Sequence, residues 1–379
     1  MQNKLIKRTT HAKQYNLYNK WIKMAKYKVI IDWLNNEINA GRLKDGSKIP
    51  SENELADRFS LSRQTVRHAI AELSEAGILT SIRGSGTYVA GLSAEGSDKK
   101  RVGVILTYVD GYIFPKTIQG IEKGLSAHGY SIELSFTNNT VEKERSILKD
   151  MLGRSDVAGL IIEPTKSALP NPNIDLYHEL KKKGVQILFV NSTYPELDMP
   201  HVSLDDKDGA YRAVKLLIDN GHKNIGCILK LDDGQGHARY SGYVKALHEA
   251  GYLISEEHVV WLDSIEYRDI DQARDKIYSR LSGCSAVFCY NDQVAVEVIR
   301  LLKEKGMELP KDMSIVSMDD SDQARVSSPQ LSSVPHPKER LGEKAAENMV
   351  RLIHHPDCKA TFEFNEEIEI RDSVLANID

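Results

Sequence analysis

Hydrophobic positions along this chain follow two different periods, one before residue 87 and another after residue 102. In the first part Val66, Ala69, Ile70 and Leu73 fall at i, i+3, i+4 and i+7, the stripe of a helix that buries one face. A shorter helical run, ELADRF, precedes it. Its start is marked by Ser51-Glu52-Asn53-Glu54, in which the Ser51 hydroxyl can accept from the Glu54 amide while the Glu54 carboxylate reaches back. The turn SLS separates the two helices, Ser62 is placed to cap the second and Gly77 to end it. GILTSIRGSGTYVA then reads as two short strands about a glycine-rich tip. Beyond residue 102 the apolar runs VGVIL, SIELSF, VAGLII, VQILFV, HVSL, NIGCIL, HVVWL, AVFCY and MSIVSM alternate with amphipathic stretches of helical length. That alternation predicts βαβ units and parallel sheets, and so many strands favour two doubly wound lobes over one sheet.

Between the two patterns, TYVAGLSAEGSDKKRV is small, polar and charged without an apolar period, which reads as a linker. Composition changes this picture little. At 379 residues, 41% hydrophobic and 27% charged, the chain has the balance of a soluble protein of two or three packed units. No apolar run approaches the ~18 residues that cross a bilayer, and the basic opening MQNKLIKRTTHAKQYNLYNKWIK lacks the apolar core of a secretory signal, so a cytoplasmic protein with no membrane partner is expected. The cysteines, Cys227, Cys284, Cys289 and Cys358, show neither CxxC pairing nor metal-finger spacing; they are expected to be buried, reduced thiols. No metal site and no cofactor is expected. Adjacent histidines, His354 and His355, point in different directions on a helix and do not make a metal pair.

Charge changes the picture more. Residues 1–91 hold 15 Lys and Arg against 8 Asp and Glu, whereas the remainder holds 35 against 46. A basic front half opposed to an acidic back half points to a polyanionic partner for the front. The second helix carries Arg63 and Arg67 opposite its apolar stripe, with Gln64 and His68 nearby. Two short helices joined by a tight turn, the second bearing arginines near its start, suit a recognition helix in a DNA major groove, where Arg can donate twice to guanine. A glycine-rich hairpin directly after it reads as a wing, with Arg83 at the tip.

The segments IPSENELADRF, LSRQTVRHAI and RGSGTYV resemble the GntR family of winged-helix regulators. The resemblance implies DNA contacts from Arg63, Gln64 and Arg67 on the recognition helix and Arg83 on the wing. It also implies a backbone grip by Lys26, with Glu52 and His68 as further candidates. It begins near Lys26, so residues 1–25 are read as a basic leader, either a disordered arm or the product of an upstream start codon. The winged helix-turn-helix domain is then 26–90, the linker 91–101 and the second domain 102–379.

In open α/β sheets ligands sit beyond the carboxyl ends of strands. Those ends carry Tyr112 and Phe114 after the first strand, Glu163 and Lys166 after LIIE, and Asn191 after ILFV; Arg239, Asn291 with Asp292, Asp319 and His336 occupy similar places further on. Carboxylates, amides and an arginine beside aromatic rings suit a sugar, whose hydroxyls both donate and accept. KRVGVIL, PKTIQGIEKGLSAHGY, DVAGLIIEP, NGHKNIGCILK, ARYSGYVKAL, CYNDQVAVEVIRLLKEKG and PKDMSIVSMDDS resemble the LacI-type sensor domain, itself related to periplasmic sugar-binding proteins. By that resemblance Arg239 bonds sugar hydroxyls, Asp319 accepts from them and Asn291 is a neighbouring amide. Asn191 stands where many relatives carry Asp. The pairing of such a head and body resembles arabinose-responsive repressors of bacterial sugar utilisation, which implies an L-arabinose effector, a homodimer through the sensor and double-stranded operator DNA as partner. Another pentose, a hexose or a nucleoside remains an alternative effector. A retaining glycosidase needs two carboxylates about 5 Å apart, which Glu163 and Asp319 could supply, but a DNA-binding head gives that reading no purpose. No Walker loop, nucleophile elbow or dinucleotide glycine triplet is present, so no enzyme is expected.

Overall fold

A computed structural model describes residues 27–38, 42–44, 46–75, 78–82, 85–89, 100–108 and 112–377. The chain divides into two compact units, a small N-terminal head and a larger sensor. Lys26, Gly77, Arg83, the leader and residues 91–99 of the expected linker lie outside the described residues, while Arg101, expected as the end of that linker, already belongs to the first strand of the larger unit.

The head comprises a first helix, α1 (27–38), then α2 (Glu52–Phe59), α3 (Arg63–Glu75) and an antiparallel hairpin of β1 (Leu79–Ile82) and β2 (Gly86–Val89). The capping box at Ser51 forms: Glu54 N donates to Ser51 Oγ at 3.3 Å, and Ser51 N donates to the Glu54 carboxylate at 2.7 Å. A left-handed residue, Ser60 at φ 52°, turns the chain between the helices, and Ser62 Oγ accepts from Thr65 N at 3.2 Å at the start of α3. Val66, Ala69, Ile70 and Leu73 are buried against Ile30 and Leu34 of α1, Leu55 of α2 and Leu79 and Val89 of the hairpin. The apolar stripe read from the sequence is therefore the helix face that closes this core.

The sensor contains all nine strands anticipated. β3 (Arg101–Leu106), β4 (Ser131–Phe136), β5 (Val157–Ile162), β6 (Gln186–Val190), β7 (His201–Leu204) and a late strand, β13 (Phe362–Phe364), form one sheet in the order β13-β7-β6-β5-β3-β4. β8 (Ile225–Lys230), β9 (Val259–Leu262), β10 (Ala286–Cys289), β11 (Ser314–Asp319) and β12 (Ser332–Pro335) form a second sheet in the order β12-β11-β10-β8-β9. Every pairing in both sheets is parallel. Helices α4 (Phe114–Ser126), α5 (Val141–Gly153), α6 (Ile174–Lys182) and α13 (Lys338–His354) belong to the first lobe. α7 (Asp206–Asp219), α8 (Gly234–Glu249), α9 (Ser264–Arg268), α10 (Arg274–Arg280), α11 (Asp292–Glu304) and α12 (Asp322–Val326) belong to the second.

The chain crosses between lobes three times: after β7, after β12 and after β13. The last crossing returns to the second lobe, where Glu369 bridges to Ser333. α4 and α13 approach so closely that a Cβ at Gly120 would lie 2.2 Å from the Glu339 carbonyl oxygen, and one at Gly342 2.2 Å from that of Thr117. Only glycine fits both positions. Cys227, Cys284, Cys289 and Cys358 are buried and form no disulfide, and burial pushes the first three thiols up.

Candidate nucleic-acid interface and ligand cleft

In the head, Arg63, Gln64, Arg67 and His68 are all exposed on α3, carried there by the burial of the opposite stripe. Arg67 Nε donates to a Glu52 carboxylate oxygen at 2.8 Å, an ion pair whose members are 70% and 38% exposed. Such a pair is worth at most about 1 kcal/mol and orients the guanidinium without immobilising it. Glu52 thus acts on Arg67. The His68 ring meets Tyr27 of α1 edge-on at 4.8 Å, which ties that end of α3 to the first helix.

In the sensor, the carboxyl ends of both sheets face one cleft enclosing about 480 Å³, its open mouth included. Thr107, Tyr112, Phe114 and Glu163 line it from the first lobe, and Lys230, Asp233, Arg239, Tyr267, Tyr290, Asn291 and Asp319 from the second. A second chamber continues past Glu163 and Lys230 to Asn139, Lys166, Ser167, Ser192 and Asp232. Strand-to-helix junctions fix several of these groups. Asp233 caps α8 by accepting from Gln235 N at 2.9 Å, and Asn291 caps α11 by accepting from Val294 N at 3.0 Å while its amide donates to Tyr267 Oη at 3.0 Å. Asn191 and Asp319 at the ends of their strands, and Lys166 in the loop after β5, take positive φ of 65°, 99° and 46°, a conformation unusual for residues with a side chain.

The polar groups of the cleft are ordered by one another. Glu163 accepts from Thr107 N at 2.9 Å, from the Thr107 hydroxyl and from Asn191 Nδ2 at 3.0 Å; burial pushes its carboxyl up, against those bonds. Arg239 Nε donates to Asp206 Oδ1 at 2.7 Å and Nη1 to the Tyr290 carbonyl, while Nη2 lies 3.5 Å from Asp319 Oδ1. Its guanidinium also stacks 4.6 Å from the Tyr290 ring centroid. Tyr290 Oη donates to Asp233 Oδ2 at 2.7 Å.

Several bonds join the lobes directly. Tyr112 Oη donates to Asp319 Oδ2 at 2.9 Å, Asn139 Nδ2 to Ser264 Oγ at 2.9 Å, and Gly234 N to Ser167 Oγ at 2.9 Å. Burial and the nearby Asp319 charge hold the Tyr112 phenol well above its usual range, so it stays a donor.

Tyr112, Phe114, Glu163, Arg239, Asn291 and Asp319, all expected at a ligand site, line the main chamber, and Lys166 lines the second. Asn191 and His336 line neither. Asn191 spends its amide on Glu163, and its carbonyl oxygen lies 3.0 Å from His336 Nε2, so both stand behind the cleft wall. Burial lowers the His336 imidazole to about 4, leaving it neutral. Asp292 also belongs elsewhere: its carboxylate accepts from the Ser317 and Ser333 hydroxyls and from Ser321 N, inside the second lobe. Sequence reading missed Thr107, Lys230, Asp232, Asp233, Tyr267 and Tyr290. The strand-end rule would have found Lys230, the final residue of β8, had it been applied to that strand.

Among the described residues no cluster of three His, Cys, Asp or Glu side chains is placed to hold a metal, and no helix is long and apolar enough to cross a membrane.

A winged helix that displays arginines, and a two-lobed receptor whose polar cleft lies at the strand ends, define a ligand-responsive transcriptional regulator. Residues 26–89 match the bacterial regulatory proteins of the gntR family, and residues 214–374 the periplasmic binding protein-like domain. The arabinose metabolism transcriptional repressor of Geobacillus stearothermophilus is 35% identical over 86% of this chain and 89% of its own length. The repressor of the same name from Halalkalibacterium halodurans is 33% identical over 87% and 89%. The chain belongs to this family of DNA-binding transcriptional repressors. In fold, the transcription regulator CcpA of Lactococcus lactis matches 73% of this chain and 99% of its own, at 27% identity and a TM-score of 0.65.

Proposed function

We propose that this repressor binds L-arabinose in the sensor cleft and releases operator DNA in response. The observation that carries the reading is the cleft's chemistry. Glu163, Asp232, Asp233 and Asp319 outnumber Lys166, Lys230 and Arg239, so no spare positive charge awaits a phosphate, while Tyr112, Phe114, Tyr267 and Tyr290 offer ring faces to sugar C–H groups. A neutral polyol meets that demand, and the names of the similar repressors support arabinose as that polyol. Tyr112, Phe114, Glu163, Arg239, Asn291 and Asp319 face the sugar, Lys166 lies at the far end, and Asn191 and His336 set the position of Glu163.

The protein works in the cytoplasm as a homodimer through its sensor domains, without catalysing a reaction. Two heads meet a pseudo-palindromic operator, each reading bases with Arg63, Gln64 and Arg67 and gripping backbone with Lys26 and the Arg83 wing. Because the cleft is built from both lobes, the sugar favours one lobe arrangement, and that arrangement holds DNA less well. Linkage then requires operator to weaken sugar binding by the same factor, a coupling of about 1–3 kcal/mol.

Calorimetric titration with L-arabinose, D-xylose, D-ribose and D-galactose, with and without operator duplex, tests this. L-Arabinose is expected to bind alone among the four, and about 5–150-fold more weakly to the operator complex. Equal sugar affinity in both states removes the mechanism. The aromatic rings of the cleft also suit a nucleobase; heat from a nucleoside and none from sugars would keep the architecture and replace the effector.

A further inference from the structure

We propose that Lys230 binds the effector directly and decides which hydroxyl pattern the cleft accepts. This deepens the reading of the cleft as a sugar site and rests on it. Lys230 ends β8 at the point where the two chambers meet, and it lines both. Its side chain is 7% exposed.

The two buried cations of the cleft differ in how their donors are used. Arg239 is bonded to Asp206 and to the Tyr290 carbonyl. The carboxylate oxygens paired with Lys230 Nζ lie at 3.5 Å on Asp233 and 3.8 Å on Asp232, beyond the roughly 2.7–3.2 Å of a good hydrogen bond. Asp232 is buried, and its Oδ1 has no hydrogen-bond partner. One side of the ammonium faces the Tyr267 ring, with the centroid at 5.3 Å. Burial lowers the affinity of Lys230 for its proton, but Asp233 and Asp232 more than offset this and hold it above the usual lysine range, so it presents N–H donors only.

A ligand oxygen about 2.8 Å from Lys230 Nζ meets Asp232 as well once that carboxylate, whose Oδ1 is enclosed, turns toward the chamber. A hydroxyl suits that place because it accepts from Lys230 while donating to Asp232. Lys166, whose side chain is 38% exposed and 4.0 Å from the other Asp232 oxygen, lies at the outer end of the same chamber. A ligand without the matching hydroxyl would leave buried charged groups unanswered, which a binding site rejects strongly.

The test compares the full-length wild-type protein with Lys230→Met by calorimetry against the four sugars above and the monodeoxy analogues of L-arabinose, with melting curves to check folding. We expect wild type to lose about 100-fold or more on removal of one particular hydroxyl, and Lys230→Met to bind L-arabinose at least about 30-fold more weakly while treating that analogue and the parent sugar within about threefold. Lys230→Arg keeps the charge beside Asp232 and Asp233, and with it the fold. Its longer fork overfills the gap, and a loss of about tenfold or more is expected.

Wild-type affinity in either variant overturns the proposal. So does a Lys230→Met protein that still discriminates the analogues as wild type does, since that would make the lysine a support for the cleft and not a contact. A wild-type protein that binds none of the sugars removes the sugar reading, and this inference falls with it.

Discussion

The head and the sensor put charged side chains to opposite uses. Arg63 and Arg67 stand exposed on a helix whose other face closes an apolar core, and the ion pair of Arg67 with Glu52 is open to solvent. In the sensor, Arg239, Lys230, Glu163 and Asp319 are all buried, and Arg239 and the carboxylates are tied into networks that span both lobes. A polyanion is met by charge that is already hydrated and needs only to shed counterions. A neutral ligand gives no such return, so its site relies on groups desolvated and oriented in advance, where a missing partner is costly. The two regions should therefore respond differently to the same kind of change.

The largest difference is expected inside the first lobe. Glu144 is fully buried and accepts from Asn171, Asn173, Tyr177 and Tyr194. Glu144→Ala leaves those donors unanswered and should destabilise the sensor by about 3–5 kcal/mol in denaturant titration, with the head keeping its own transition. Equal weakening of both transitions would mean that the units do not unfold separately.

Next comes pH. His336 is neutral in the fold, with its value depressed from 6.5 to about 4, so an unfolded chain takes up a proton that the folded one refuses between those values. Its contribution is present above about pH 6.5 and is lost as pH falls toward 4. Asp292, raised by burial to about 6, works in the opposite sense, because its folded form holds the proton more tightly than the unfolded one. Comparing wild type with His336→Gln isolates the histidine: the stability difference between them should shift by up to about 3 kcal/mol in favour of the variant between pH 7 and pH 4. A constant difference would place a charged imidazole in the fold.

Smaller effects belong to the head. Arg67→Ala should weaken operator binding by about 1–3 kcal/mol, relax specificity at one base position and leave the melting temperature of the head unchanged. A loss equal on all sequences, with a salt slope reduced by about one, assigns Arg67 to phosphate. Glu52→Ala should alter head stability by less than about 1 kcal/mol, its effect being confined to how Arg67 is oriented.

What the sequence disclosed follows the range of the interactions involved. The capping box at Ser51, the stripe from Val66 to Leu73 and the hairpin about residues 82–86 are local patterns, and each appears in the structure where the spacing puts it. The sensor strands were legible because strands of parallel sheets covered on both faces are nearly continuous apolar runs. Glu163, Asn291 and Asp319 were found by their place at strand ends. The same rule drew in Asn191, His336 and Asp292, because spacing along a chain does not say which polar group is taken up by another. Only the fold brings Asn191 to both Glu163 and His336, or Asp292 to Ser317 and Ser333, and so commits their polar atoms to one another behind the cleft lining.

The threefold crossing between lobes has a consequence for the order in which the protein is made. The first lobe begins at β3, yet its longest helix, α13, and its edge strand, β13, are encoded after β12, the last strand of the second lobe. During synthesis the ribosome therefore delivers five strands that must wait, with the seat of α13 on Gly120 uncovered and β7 without its outer neighbour, until residue 364 has emerged. The head, whose core is complete by Val89, has no such delay. A nascent chain thus completes the unit that carries Arg63 and Arg67 well before the first lobe can close its side of the cleft.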